Sequence, residues 1–284
     1  MKIENCKLKI VFFGTPDFAM PVLEALIKNG YDAYHFKSKT LKDGAVFEEF
    51  KNLKPDICVV AAYGKIIPKR YLDVPKYGFI NVHPSLLPKY RGPSPVQTAI
   101  LNGDTETGAS IMMIDEEVDH GSVLVTAPYK IPISKYNVEI AEDLFRLGAE
   151  LLIEILPKYL NGKIKPVEQN HSQATFTKMF QREDGRINWS ESGDKIYNRI
   201  RALNPEPGTW TTWKGKVINI LNITTSDVVS PQMPGMIVKI DDNIAVATKK
   251  CYLILKSIQL EGGKEMDAKS FVNGHPDFLN SILE

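Results

Sequence analysis

The sequence predicts two domains: a doubly wound, mainly parallel α/β domain, followed by a small antiparallel β-barrel that is OB-like. Short apolar runs alternate with helical patterns across residues 8–160, which is typical of βα units in a parallel sheet. Residues 165–181 are polar and basic, as expected of a linker. Short alternating strands and turn residues follow them. We therefore expect domains at residues 1–164 and 182–284.

The spacing of apolar residues predicts each element of the first domain. Continuous or alternating apolar runs predict strands, and apolar residues three and four apart predict helices. The strands are expected at residues 8–13, 31–36, 57–62, 78–83, 109–114 and 123–127, and the helices at residues 15–28, 45–53, 96–102 and 138–160. Thr15 is expected to cap the first helix, with Pro16 at its first position.

The second domain is predicted to begin with a helix at residues 193–203 and a proline-containing turn at residues 204–208. The strands are expected at residues 209–213, 216–223, 236–240, 244–248 and 252–260. Turn residues at positions 214–215 and 241–243 separate some of them. This succession favours a small antiparallel barrel.

Composition excludes several classes of protein. The 284 residues are 43% apolar with a formal net charge of +1, which gives no global sign of nucleic-acid or membrane binding. Cys6, Cys58 and Cys251 are too far apart in sequence to suggest a disulfide framework or a metal site, which fits a reducing compartment. No apolar run approaches the length of a membrane span, and the first six residues lack a signal-peptide pattern. We expect a cytoplasmic protein, or one of the organellar matrix if the source is eukaryotic. We also expect a monomer.

A strand that meets a helix through Gly14 raises the possibility of a dinucleotide-binding turn. The Gly-x-Gly-x-x-Gly pattern is absent, however. Asp17 would also repel a pyrophosphate at the start of that helix. We therefore exclude nicotinamide binding.

The candidate functional residues Asn81 and His83 lie at the end of a predicted strand, just before a proline-rich loop. Residues two apart in a strand point to the same face, so the two side chains should project together. Open α/β sheets bind ligands at the carboxyl ends of their strands. The position of this pair therefore favours a functional site.

Asn81, His83 and Asp119 together suit acyl or one-carbon transfer. Asn81 could donate a hydrogen bond to a developing oxyanion. His83 could move a proton or stabilise the same charge as an imidazolium. Asp119 comes from a separate loop and could orient His83. The residues alone leave open the alternative that Asn81 and Asp119 merely cap turns.

Two other kinds of chemistry are disfavoured. Ser85 lacks a Gly-x-Ser-x-Gly context, so direct transfer to an incoming amine is favoured over a covalent acyl-enzyme. Residues 115–120 contain four carboxylates and His120, but no known metal-binding pattern. We interpret them as a solvated acidic loop and expect no metal.

Several motifs resemble one family. The segment from Asn81 to Gly92, Asn-Val-His-Pro-Ser-Leu-Leu-Pro-Lys-Tyr-Arg-Gly, closely resembles the signature of the folate-dependent formyltransferases. Asp119-x-Gly121 stands where that family carries its catalytic aspartate. The N-terminal landmarks of the family are similar to residues 14–18 and 62–68. In the second domain, the segments that resemble the branch acting on methionyl-tRNA are residues 183–189, 200–205 and 274–278.

The resemblance implies a Rossmann-like catalytic domain and an enzyme of translation initiation. Its formyl donor would be 10-formyltetrahydrofolate and its acceptor the α-amine of methionyl initiator tRNA, which the second domain would contact. By the family's motif, Asn81, His83 and Asp119 would be catalytic. The residues contacting the folate would be Ser85, Leu86, Leu87 and Pro88.

The chain departs from the family pattern after the first helix. A βα unit of about 30 residues, which in the family carries a basic loop that reaches toward the tRNA, has no counterpart here. Lys37, Lys39 and Lys42 occupy the shortened connection and are not expected to replace that loop.

Three functional hypotheses remain open. The first is formyl transfer to methionyl initiator tRNA. The second keeps the chemistry but uses a small amine, such as an amino sugar nucleotide, as the acceptor. The third is a non-catalytic RNA-binding derivative of the enzyme. The missing βα unit favours the second hypothesis, whereas the motifs of the second domain favour the first.

Overall fold

A computed structural model describes residues 8–38 and 40–284, so that Cys6 and Lys39 lie outside the described residues. Two compact units are present. The first comprises the described part of residues 1–96 together with residues 105–133 and 138–178, and the second comprises residues 97–104, 134–137 and 179–284. Nowhere in residues 8–38 and 40–284 does a helix combine the length and the apolar character that a membrane span requires.

The predicted helices and strands are present in the predicted order, and α3, α7 and β12 are additional elements that were not predicted. The strands are β1 (Lys9–Gly14), β2 (Asp32–His35), β3 (Ile57–Ala61), β4 (Phe79–His83), β5 (Glu106–Met113), β6 (Val123–Lys130), β7 (Trp210–Trp213), β8 (Lys216–Val229), β9 (Ile237–Ile240), β10 (Asn243–Ala247), β11 (Cys251–Leu260) and β12 (Met266–Asp267). The helices are α1 (Met20–Lys28), α2 (Gly44–Asn52), α3 (Lys69–Leu72), α4 (Pro95–Leu101), α5 (Asn137–Leu160), α6 (Gly193–Leu203) and α7 (Ala268–Gly274).

The first unit is built on a six-stranded sheet of order β2-β1-β3-β4-β5-β6. The first four strands in this order are parallel, and β5 and β6 are antiparallel to their neighbours. Apolar residues of α1 and α5 pack on one face of the sheet, and those of α2 and α3 pack on the other. The prediction of a doubly wound, mainly parallel sheet is therefore confirmed. Burial on both faces explains why β3 is apolar throughout.

The start of the first helix differs from the prediction. A 3₁₀ turn, Asp17–Ala19, follows Pro16, and α1 begins only at Met20. No side chain makes a capping hydrogen bond at the N-cap of the 3₁₀ turn or at the N-cap of α1. The prediction that Thr15 caps the helix is therefore wrong. The helix ends as predicted, because Asn29 is the C-cap and Gly30 adopts φ +81°, which glycine tolerates without strain.

Strand β2 lies between α1 and α2, and residues just before α2 contact Arg70. The carbonyls of Leu41, Lys42 and Asp43 accept hydrogen bonds from the Arg70 guanidinium at 2.9–3.3 Å. The Asp43 side chain caps α2 by accepting a hydrogen bond from the Ala45 amide at 2.8 Å. Arg70 therefore satisfies three consecutive backbone carbonyls just before α2.

The second unit contains an antiparallel sheet of order β7-β8-β11-β10-β9, with β12 beside β11. Residues 280–284 close this sheet. Glu284 pairs with Thr212 of β7, and the Leu283 amide donates to the Gly235 carbonyl, just before β9. The apolar side chains of α6, α7 and the sheet form one core. This architecture confirms the predicted antiparallel second domain.

Candidate active site

Strand β4 places Asn81 and His83 at the carboxyl edge of the parallel part of the sheet. Ile80 and Val82 point into the core beneath α1 and α5. The strand's period of two directs Asn81 and His83 to the opposite face, as the sequence predicts. On the neighbouring strand β5, Ser110 pairs with His83.

The loop between β5 and β6 brings Asp119 to this pair. Asp119 Oδ1 lies 3.4 Å from Asn81 Nδ2 and 3.6 Å from His83 Nδ1. Asp119 Oδ2 accepts a hydrogen bond from the Gly92 amide at 2.7 Å. The His83 side chain is 4% exposed and that of Asp119 15%, so both act where water screens charge weakly. The three residues singled out as catalytic candidates therefore lie together.

The surroundings of His83 assign different roles to its two ring nitrogens. Nε2 lies 3.0 Å from the Tyr90 carbonyl oxygen, which can only accept a hydrogen bond. Nε2 therefore carries a proton. Nδ1, which faces Asp119, is the nitrogen that can gain or lose one. This arrangement allows His83 to move a proton at Nδ1 without turning its ring.

The segment from Ser85 to Pro88, which the resemblance assigns to folate, forms a braced loop. Ser85 is fully buried, and its hydroxyl donates to the Lys89 carbonyl at 2.6 Å. Ser110 Oγ donates to the Ser85 carbonyl and accepts from the Leu87 amide. Leu86, Leu87 and Pro88 are half-buried. The Ser85 hydroxyl is therefore committed to shaping the loop, and the following three residues are the accessible ones.

Sequence reasoning missed Arg91 and Gln169 as functional candidates. Gln169 lies in the predicted linker, but it is 7% exposed and donates from Nε2 to the Asp119 and Gly121 carbonyls. Its Oε1 accepts two hydrogen bonds from the Arg91 guanidinium at 3.1 and 2.7 Å. The backbone of Arg91 pairs with residues 175–177. A buried glutamine in a polar stretch leaves no periodic signal, so only its partners reveal its position.

A pair of histidines stacks beside the Asp119 loop. The rings of His120 and His171 are nearly parallel, with centroids 4.1 Å apart. His120 Nδ1 lies 2.7 Å from Asp115 Oδ2, and His171 Nε2 lies 3.4 Å from Glu168 Oε1. Throughout the part of the chain that the structure describes, no three His, Cys, Asp or Glu side chains are grouped closely enough to hold a metal ion.

The arrangement suits direct transfer of a small electrophilic group. Asn81 Nδ2 can donate to a developing oxyanion, His83 Nδ1 can exchange a proton, and the Asp119 carboxylate can accept one. Cys58, on the neighbouring strand β3, is buried, and burial raises the pKa of its thiol. The buried Ser85 hydroxyl lies against a carbonyl rather than a base. Neither side chain is prepared to form a covalent intermediate.

Comparison with protein families matches both parts of the chain. Residues 15–156 match the family described as formyl transferase. Residues 179–276 match the formyl transferase C-terminal domain.

Two relatives cover most of the chain. The methionyl-tRNA formyltransferase of Roseiflexus castenholzii is 40% identical over 262 residues, covering 92% of this chain and 83% of the relative. That of Alkaliphilus oremlandii is 35% identical over 308 aligned positions, covering 97% of this chain and 99% of the relative. The 308 positions exceed the 284 residues of this chain by 24, so the alignment contains gaps in this chain.

Among solved structures, HypX from Aquifex aeolicus in complex with tetrahydrofolic acid has the same fold, with a TM-score of 0.77 at 16% identity. The match covers 97% of this chain and 48% of HypX, so this chain spans about half of HypX. This structure shows a shared fold, whereas the family matches and the two relatives show the family. The chain belongs to the formyl transferase family, in the methionyl-tRNA formyltransferase branch.

Proposed function

We propose that this protein transfers a formyl group from 10-formyltetrahydrofolate to the α-amine of methionyl initiator tRNA, and so supports translation initiation. The observation that carries the proposal is the 40% identity to a methionyl-tRNA formyltransferase over 92% of the chain. The names of the relatives at 35–40% identity, methionyl-tRNA formyltransferases, favour a tRNA acceptor over a small amine.

The reaction begins with a neutral amine. The α-amine has an ordinary pKa of about 8, so a useful neutral fraction exists at physiological pH. Its lone pair attacks the formyl carbon, and the carbonyl π electrons move to oxygen to give a tetrahedral oxyanion. Asn81 Nδ2 and a protonated His83 Nδ1 donate hydrogen bonds to that oxyanion.

Collapse of the intermediate completes the transfer. Asp119 collects the proton that the attacking amine loses, directly or through water. The oxyanion re-forms the carbonyl as the bond from the formyl carbon to the folate nitrogen breaks. The electron pair stays on that nitrogen, which takes up the proton that Asp119 collected, directly or through water. The products are formyl-methionyl-tRNA and tetrahydrofolate. In this proposal Asn81, His83 and Asp119 are the catalytic residues.

The loop at residues 85–88 supplies a wall for the folate. Leu86, Leu87 and Pro88 are half-buried and can cover an aromatic ring system with apolar surface. Ser85 contributes by holding the loop, since its hydroxyl donates to the Lys89 carbonyl. We assign donor binding to this loop on that basis.

The domain assignment completes the proposal. Residues 1–164 form the catalytic domain, residues 182–284 contact the tRNA, and residues 165–181 join them. The protein acts as a monomer in the cytoplasm, where its tRNA substrate is used. Light scattering at micromolar concentration tests the monomer, and a dimer mass would contradict it.

Formylation of charged tRNA is the decisive experiment. Purified protein with 10-formyltetrahydrofolate and methionyl initiator tRNA should yield formyl-methionine after hydrolysis of the ester. His83→Ala should lower kcat by about 10²- to 10⁴-fold. Uncharged tRNA and an amino sugar nucleotide serve as parallel acceptors. Formylation of the amino sugar nucleotide alone would support the small-amine hypothesis. If the wild-type protein and His83→Ala both bind tRNA and neither formylates an acceptor, a non-catalytic role is supported.

A further inference from the structure

The backbone at Asp119 adopts a left-handed conformation, which aspartate tolerates better than most residues. Its φ of +49° lies in the left-handed region, which residues other than glycine, asparagine and aspartate seldom occupy. Gly121 lies so close to β5 that a Cβ there would stand 2.0 Å from the Met113 carbonyl oxygen. The loop is therefore tightly shaped, and it needs partners for its backbone groups.

Gln169 supplies those partners from a distant part of the sequence. Its Nε2 donates to the Asp119 carbonyl at 2.9 Å and to the Gly121 carbonyl at 2.7 Å. One amide group thus uses both of its N–H bonds to clamp two carbonyls of the same loop. Because Gln169 is 7% exposed, water cannot readily take its place.

Arg91 fixes the direction in which the Gln169 amide points. Arg91 Nε and Nη2 donate to Gln169 Oε1 at 3.1 and 2.7 Å. A guanidinium group has no acceptor, so the oxygen of Gln169 must face Arg91 and its nitrogen must face the loop. Arg91 is itself 3% exposed.

These contacts close a ring around Asp119. Gly92, which follows Arg91 in the chain, donates from its amide to Asp119 Oδ2 at 2.7 Å. The ring therefore runs from the Asp119 carboxylate through Gly92 and Arg91 to Gln169, and back to the Asp119 carbonyl. Both the backbone and the carboxylate of Asp119 are held by the same unit.

We infer that Gln169 is a positioning residue for formyl transfer, because it holds the Asp119 loop so that the carboxylate faces Asn81 and His83. This inference rests on the role of Asp119 in the proposed function. Among the described residues, each side-chain hydrogen bond of Gln169 is to the Asp119 loop or to Arg91, which precedes the Gly92 amide that binds the Asp119 carboxylate.

The variant Gln169→Glu keeps the contact with Arg91 and removes the contacts with the loop carbonyls. A carboxylate still accepts from Arg91 but has no N–H to donate to the loop carbonyls. We expect kcat to fall about 10- to 100-fold, because a misplacement on the order of 1 Å costs this much. The KM values for both substrates should stay within about twofold. Gln173→Glu, the same change at an exposed residue of this segment, should retain wild-type kcat.

A double-mutant comparison isolates the path through Asp119. In an Asp119→Asn background, Gln169→Glu should lower kcat by less than about twofold more, because the group it positions is already lost. A full multiplicative loss there, or wild-type kcat in Gln169→Glu alone, would overturn the inference. If Asp119→Asn itself keeps wild-type kcat, the catalytic assignment in the proposed function fails instead.

Folding of the variants is checked by circular dichroism and thermal unfolding. If Gln169→Glu does not fold, Gln169→Leu introduces no charge and carries the same comparison. Loss of folding in both variants would make Gln169 a structural residue and would overturn the inference.

Discussion

Asp119 joins three parts of the chain that are distant in sequence. Asn81 and His83 reach it from β4, Gly92 from the loop after β4, and Gln169 from the segment after α5. Asn81 and His83 contact Oδ1, Gly92 contacts Oδ2, and Gln169 contacts the carbonyl oxygen. The geometry of the candidate site therefore depends on single hydrogen bonds, and changes to individual residues should be visible in the rate.

Asn81→Ala should lower kcat by about 10²- to 10³-fold, because it removes a donor aimed at the developing oxyanion. Single-turnover formylation with saturating substrates measures this step directly. Asn161→Ala is the control, because Asn161 is an exposed residue whose side chain donates to the Pro157 carbonyl near the end of α5. A rate within threefold of wild type for Asn81→Ala would contradict the oxyanion role.

Gly121→Ala should destabilise the protein by roughly 1–3 kcal/mol, because its Cβ would overlap the Met113 carbonyl oxygen. The Asp119 loop would move with it, so activity should fall as well. The matched control is Gly44→Ala at the first position of α2, where a Cβ would meet nothing within 4 Å. That change should be neutral or stabilise by about 0.4–1 kcal/mol. Urea unfolding measures both, and equal effects would contradict the packing argument.

At the scale of elements, a tyrosine on β6 is linked to an aspartate on α5. The Tyr129 hydroxyl donates a short hydrogen bond to the Asp143 carboxylate. Burial, this hydrogen bond, and the charges of Asp143 and Glu139 together raise the pKa of Tyr129 well above its ordinary value. The folded state therefore favours the neutral phenol.

This shift predicts an alkaline loss of stability. Because the pKa of Tyr129 is higher in the folded protein, the neutral phenol contributes to the free energy of unfolding. This contribution is complete below the ordinary pKa of about 10 and is lost as the pH rises toward the pKa in the folded protein. Tyr129→Phe should lower the free energy of unfolding by about 1 kcal/mol at pH 8, and this difference should shrink above pH 10. Urea unfolding at pH 8 and pH 10.5 checks this. A constant difference between the two pH values would contradict the link.

Strand β8 shows how pairing extends an element beyond its sequence signal. The strand was predicted to end at residue 223, but it runs to Val229. Five of the six residues from 224 to 229 are exposed and four of the six are polar, so they show little apolar alternation. β11 supplies the pairing, with Leu253 opposite Thr225 and Cys251 opposite Val229. Backbone hydrogen bonds to a neighbour, rather than burial, determine where this strand ends.

At the scale of the whole molecule, the second unit depends on its last five residues. Leu283 is 2% exposed and belongs to the core that α6, α7 and the sheet share. The backbone of residues 280–284 bridges β7 and the start of β9. Closure of the sheet thus combines a buried side chain with edge pairing, which protects edges that would otherwise be open.

Leu283→Ala should therefore destabilise the second unit by about 2–5 kcal/mol, the usual cost of removing a buried leucine side chain. Ile282→Ala, at the adjacent residue with 41% exposure, should cost much less. Hydrogen exchange of the amides in β7 and β9 reports the change within this unit. Similar costs for the two variants would contradict the closure described above.

Much of the fold could be predicted because local patterns carry it. Alternating apolar runs and helical periodicity placed every strand of the first unit to within a few residues, since burial on both faces imposes apolar side chains. The start of α1 was misplaced. Its first turn is a 3₁₀ helix without a side-chain cap, whereas the sequence Thr15-Pro16 is typical of a capped α-helix.

The sequence by itself determined that Asn81 and His83 share one face, because a strand's period of two leaves no other arrangement. Its motifs also pointed to the formyl transferase family. Only the tertiary structure showed that Gln169 and Arg91 lie beside the Asp119 loop, since their side-chain hydrogen bonds join residues 48 to 80 positions apart. Such contacts depend on how strands and loops meet in space, and no spacing along the chain encodes them.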